Sequence, residues 1–127
     1  MSGSREPDDG YRFEFLPEVE AEAKGLSEGL RRAIAGIVVD LHHNPHSGQL
    51  MDDRWPENLE GCRKVRFDAP GWRRAPRYRF VYRNEPSDGA VGVIVVLAIG
   101  RRDRMIAYAK ASARLQRRLA REARGSR

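Results

Sequence analysis

Apolar and polar positions alternate at the start of the patterned chain, where Tyr11, Phe13 and Phe15 interleave with Arg12 and Glu14. That period of two predicts a strand with one buried face. Pro17 breaks the alternation and suits the first turn of a helix, and Glu18, Glu20 and Glu22 follow where a helix N-terminus favours negative charge. This short helix is expected to end near Gly25. Ser27 then supplies an N-cap for a second helix, in which Leu30, Ile34, Ile37, Val38 and Leu41 recur at helical spacing until Asn44-Pro45 stops it.

Residues 46–61 read as a polar, Gly- and Pro-containing connection, after which alternation returns over 62–68 and 77–85, joined by a loop around Pro70-Gly71. In the first of these strands Val65 and Phe67 oppose Lys64 and Arg66. In the second, Tyr78, Phe80 and Tyr82 oppose Arg77, Arg79, Val81 and Arg83. A turn over 86–89 leads into 91–99, apolar on both faces and so expected as a central strand covered on both sides. Residues 103–121 read as a closing helix with a cationic surface. The order β-α-α-β-β-β-α predicts an α+β fold, a small mostly antiparallel sheet with the helix pair on one face and a C-terminal helix, its other face partly open. One domain is expected over 11–122, between a disordered N-terminal tail at 1–10 and a basic C-terminal tail at 123–127.

Charge adds a partner class. The formal net charge is +6, and 21 of the 24 basic residues are arginine, whose planar fork matches phosphate oxygens. Residues 1–60 hold 6 basic and 13 acidic side chains, residues 61–100 hold 8 and 3, and residues 101–127 hold 10 and 2. The division predicts one basic surface built from the second half, and hence a polyanion as partner. The single cysteine, Cys62, excludes an internal disulfide and a thiol-based zinc site, which fits a reducing cytoplasm. No segment approaches the ~20 apolar residues of a membrane span, so no membrane association is expected. His42, His43 and His46 gather at a helix end without accompanying carboxylates. Capping of that end is their expected role, and no metal or cofactor is expected.

If the two alternating strands pair, Lys64, Arg66 and Arg79 share one sheet surface, with Arg102 arriving from the end of the apolar strand and Tyr108 from the closing helix. Taken singly, each cation reads as a solvated surface charge and Tyr108 as a packing residue. Gathered together, like charges repel, and their convergence makes sense where a phosphate sits among them.

Leu59-Glu60-Gly61 ahead of the basic strand, Arg77-Tyr78-Arg79-Phe80-Val81-Tyr82, and Ile99-Gly100-Arg101-Arg102-Asp103-Arg104 ending in Tyr108 resemble the RelE/ParE superfamily of bacterial type II toxin–antitoxin toxins, in its RelE-like branch. The resemblance covers about residues 11–119. It implies a metal-independent endoribonuclease that cuts mRNA in the ribosomal A site and inhibits translation. The implied catalytic residues are Lys64, Arg66, Arg79, Arg102 and Tyr108. In that scheme the 2′-hydroxyl attacks the adjacent phosphorus, Arg79 and Arg102 stabilise the phosphoryl charge, Lys64 and Arg66 hold the backbone and leaving side, and Tyr108 orients the hydroxyl or accepts its proton. Arg63, Trp72, Arg73, Arg74, Arg77, Arg101 and Arg104 are the accompanying candidates for RNA binding.

Two departures stand out. Arg66 replaces the usual lysine, and an arginine clamps a phosphate but cannot serve as a base. The loop over 69–76 is longer than the family's turn and adds Trp72, Arg73 and Arg74, which leaves stacking on a base, bracing the ribosome and packing on the protein's own helices all open. The implied partners are a cognate antitoxin, forming a toxin–antitoxin hetero-oligomer, and mRNA with the ribosome and its rRNA. The antitoxin is expected in the groove between helix pair and sheet, or on the last helix near Met105, Ile106 and Ala109. The competing readings are a ParE-like DNA gyrase inhibitor without nuclease activity and a non-catalytic nucleic-acid-binding module.

Overall fold

A computed structural model describes residues 10–52 and 58–125, so nearly all of the expected tail at 1–10 lies outside the described residues. The elements are β1 (Arg12–Phe15), α1 (Pro17–Lys24), α2 (Glu28–His43), β2 (Gln49–Leu50), β3 (Arg63–Phe67), β4 (Tyr78–Ser87), β5 (Ala90–Arg101) and, after a 3-10 turn at Asp103–Met105, α3 (Ile106–Gly125). The sheet runs β1-β5-β4-β3-β2. β1 lies parallel to β5 and every other pairing is antiparallel.

The expected α+β order holds, with one added strand. β2 arises inside the stretch read as a polar connection, which also buries Met51 and Leu59. The short strand is held by its surroundings rather than by its own pattern. Gly48 donates its N–H to the Tyr82 hydroxyl, which in turn donates to the Pro45 carbonyl. A Cβ at position 48 would fall 2.7 Å from that hydroxyl, so glycine is what lets the chain pass there.

Each helix begins and ends for a local reason. Pro17 opens α1, and the Ser27 side chain accepts from the Leu30 N–H at the start of α2. His42 and His43 occupy the last turn of α2, where His42 Nδ1 lies 3.1 Å from the Tyr11 carbonyl, while His46 Nε2 lies 2.6 Å from that of Asp88. His42 and His46 tie neighbouring segments together, a wider role than capping. α3 continues to Gly125 instead of stopping at 121, because nothing between Ala120 and Arg124 breaks a helix. Among the described residues no helix is long and apolar enough to cross a membrane.

Two cores sandwich the sheet. On one face Val19 of α1 and Leu30, Ile34, Ile37 and Leu41 of α2 pack on Phe67, Phe80, Tyr82, Ile94 and Val96. On the other, Tyr108, Ala111 and Leu115 of α3 cover Val81, Val95, Leu97 and Ala98, so this face is more fully covered than the sequence pattern implies. Cys62 belongs to the second core, where burial pushes its thiol up to about 11 and makes it an inert apolar filler.

The basic second half does not form one continuous cationic skin. Arg114 pairs with Glu22 at 2.7 Å, Arg117 with Glu18 at 2.9 Å, and Arg118 with both Glu14 and Glu85 at 2.8 and 2.9 Å. Acids of the N-terminal half thus meet arginines of α3 across the fold. The expected charge segregation along the chain becomes pairing in space, while Lys64, Arg66, Arg79 and Arg102 lie within reach of one another's charge.

Candidate active site

Pairing of β3 with β4 sets Arg66 directly opposite Arg79 and Lys64 opposite Val81, while β4 with β5 sets Arg79 opposite Gly100. Two residues beyond Gly100, Arg102 donates its backbone N–H to the Arg77 carbonyl at 2.9 Å, which pins the strand end beside β4. The chain then turns sharply. Arg104 and Met105 take left-handed φ values of 56° and 59°, a conformation that costs about 1 kcal/mol or more per side-chain-bearing residue and that concentrates at functional sites. This turn starts α3 so that Tyr108 reaches back over the sheet.

The phenol of Tyr108 is 3% exposed, and its oxygen accepts from Arg79 Nε at 3.0 Å. Lys64 Nζ stands 5.6 Å from the centre of the same ring. Arg79 also donates from Nη1 to the carbonyls of Pro76 and Tyr78, at 3.1 and 2.9 Å, so its guanidinium is fixed before any ligand arrives. Lys64 and Arg79 are only 8% and 7% exposed, whereas Arg66 and Arg102 are exposed. Burial lowers the pKa of Lys64, and Arg79, Arg66 and Arg102 lower it further. Burial likewise lowers that of Arg79; contact with Tyr108 opposes the shift, and Arg102 and Arg66 add to it. Lys64 and Arg79 beside the phenol therefore feel each other and both Arg66 and Arg102, a field that a phosphate dianion or diester would relieve.

The longer β3–β4 loop is braced at its base. Asp68 accepts from both Arg77 Nε and Nη2 at 2.9 Å, and also from the Arg77 and Ala69 backbone N–H groups. Hydrogen bonding to Arg77 above all holds the Asp68 carboxyl well below its usual range. Trp72 stacks on the Arg77 guanidinium at 3.5 Å, its Nε1 donating to the Ala75 carbonyl, so both contacts lie within its own loop. Asp68 was not among the candidates from sequence, although a lone carboxylate between residues 61 and 84 is a legible signal for an internal clamp.

The remaining RNA-binding candidates divide. Arg73, Arg74, Arg101 and Arg104 are exposed, with Arg101 paired to Asp103 at 2.8 Å. Arg63 stands apart from the cluster: it makes a two-pronged bond to Asp88 at 3.0 and 2.8 Å and donates to the carbonyls of His46 and Gly48. It holds β2 and the β4–β5 turn together.

This fold is that of the RelE toxins. A double arginine-to-alanine variant of the E. coli toxin RelE in the free state superposes with a TM-score of 0.60 at 20% identity, over 83% of this chain and 97% of that one. The Mycobacterium tuberculosis toxin–antitoxin complex RelBE2 gives 0.53 at 20% identity, over 73% and 92%. The intact E. coli RelBE toxin–antitoxin complex gives 0.52 at 20%, over 74% and 99%. No protein-family model matches the chain, and no curated protein sequence does.

Proposed function

We propose that this chain is the toxin of a type II toxin–antitoxin pair and that it cleaves mRNA, in the ribosomal A site, by internal transesterification. The observation that carries this reading is the placement of Tyr108 between Arg79 and Lys64, with Arg66 and Arg102 close enough to act on both cations. The 2′-oxygen of the substrate bonds to the adjacent phosphorus while the bond to the 5′-oxygen breaks, leaving a cyclic phosphate and a free 5′-hydroxyl. Arg79, already held by three hydrogen bonds, and Arg102 stabilise charge on the phosphoryl oxygens as preorganised donors. Lys64 and Arg66 grip the backbone on the leaving side, and Tyr108 orients the attacking hydroxyl or, as the phenolate, takes its proton, while solvent returns a proton to the departing 5′-oxygen.

The test is expression of the wild type and of Arg102→Ala in bacteria with mapping of mRNA 5′ ends. New ends inside coding regions are expected with the wild type, and the variant should lose 10² to 10³ in rate, about 3 kcal/mol of barrier. Growth arrest without new ends, together with inhibited DNA supercoiling, would instead support a gyrase inhibitor.

Solved complexes of RelE with an antitoxin support an antitoxin as partner here. Two surfaces suit it. One is a groove of about 180 Å³ lined by Ile37, Leu41 and Val65 between α2 and the sheet, and the other is the exposed pair Ile106 and Ala109 on α3.

A further inference from the structure

Beside the cationic cluster lies an open cleft of about 270 Å³ lined by Ala75, Pro76, Arg77, Arg101, Arg102 and Asp103. We propose that this cleft is a base-stacking subsite for the nucleotide flanking the phosphate gripped by Arg79 and Arg102, with the Arg77 guanidinium as its stacking surface. The inference rests on the nuclease reading and assigns the β3–β4 loop a role within it.

Four features point to a base. Arg77 is held as a plane: Asp68 takes two of its donors at 2.9 Å, and Trp72 stacks on it at 3.5 Å. A guanidinium fixed in this way presents a flat surface, and unstacked RNA bases settle on such planes as they do on aromatic rings. Ala75 and Pro76 add apolar lining suited to a ring rather than to a charged group. Third, the cleft shares Arg102 with the cluster, and the Pro76 carbonyl that borders it accepts from Arg79 at 3.1 Å, so a base here would sit next to a phosphate there. Finally, Arg101 and Arg102 on the rim can meet the connecting phosphate, and Trp72, 38% exposed, extends the loop's aromatic surface outward.

The experiment measures anisotropy of a labelled single-stranded RNA oligomer whose 2′-O-methyl groups prevent cleavage. It is compared with the same oligomer made abasic on both sides of its central phosphate. The intact oligomer should bind the full chain about tenfold more tightly, the scale of one stacked base. Arg77→Ala and Trp72→Ala should abolish that difference while both oligomers still bind through the cluster. Trp72 is partly exposed, so its variant keeps the test informative if Arg77→Ala fails to fold. Equal binding of the two oligomers to the wild type would overturn the subsite and leave the nuclease reading standing. Failure of both to bind would likewise overturn the subsite, while the nuclease reading stands or falls on the mapping of mRNA 5′ ends.

Discussion

At the scale of single residues, the cluster trades stability for readiness. Lys64 is nearly buried among cations, and its folded pKa lies below the value of 10.5 of an unperturbed lysine. Below the folded pKa both folded and unfolded chains carry the proton, and the folded state bears the whole penalty. As pH rises from the folded pKa towards 10.5 the folded chain sheds its proton first and the penalty fades. Lys64→Met should therefore raise the melting temperature near neutral pH while lowering RNA cleavage, two effects that calorimetry and a cleavage assay read separately. An unchanged or lower melting temperature would contradict the electrostatic account. The alternation of residues 62–68 and 77–85 made the shared surface of Lys64, Arg66 and Arg79 legible. It could not reveal that Arg79 would be bonded to Tyr108, since that contact joins positions 29 apart through the packing of α3.

At the scale of elements, two clamps decide where the site's parts stand. The first fixes the β3–β4 loop through Asp68, whose pKa is held far below the usual 3.8 by Arg77 and by backbone N–H groups. A depressed carboxyl contributes stability that is complete above its unfolded pKa and is lost as pH falls below it. The acid limb of the stability profile should steepen below about pH 4, and Asp68→Asn should flatten it; denaturant melts from pH 5 to 2 would show an unchanged limb if the clamp were idle. The second clamp seats α3: Arg114, 9% exposed, binds Glu22, which also accepts from the Ile99 N–H at the edge of β5. Burial alone would raise the pKa of Glu22, yet Arg114 and the Ile99 N–H bring it below its ordinary value. Arg114→Ala should cost about 2 kcal/mol, because it strips the shortest ion pair from a largely buried carboxylate that retains Lys110 at 3.4 Å and the Ile99 N–H. The element order was readable because hydrophobic period changes from two to helical and back with Pro, Gly and Asn at the joints. β2 was not, since its two exposed residues carry no period and owe their pairing to β3.

At the scale of the whole molecule, the fold sorts charge. Arg114, Arg117 and Arg118 of α3 are taken up by Glu14, Glu18, Glu22 and Glu85, which leaves the mutually coupled Lys64, Arg66, Arg79 and Arg102 as the place for a polyanion. Affinity for single-stranded RNA should fall with salt at a log–log slope of about −3 if four phosphates are neutralised there. Charge reversal at Arg121 and Arg124, exposed on the far part of α3, should change that slope little. A slope that responded equally to both ends of the molecule would mean diffuse binding.

By itself the sequence determined the α+β class, the element order apart from β2 and the faces of the alternating strands, because these follow from local periodicity and from residues that start or stop a helix. It also contained every member of the cationic cluster. Tertiary structure alone decided that α3 covers the second face of the sheet, that Arg63 and the arginines of α3 serve as internal fasteners, and that Trp72 stacks on Arg77. Those outcomes depend on which distant carboxylate or ring each long side chain meets, and an arginine reads the same along the chain whether it ends in solvent, against an acid or beside a phenol.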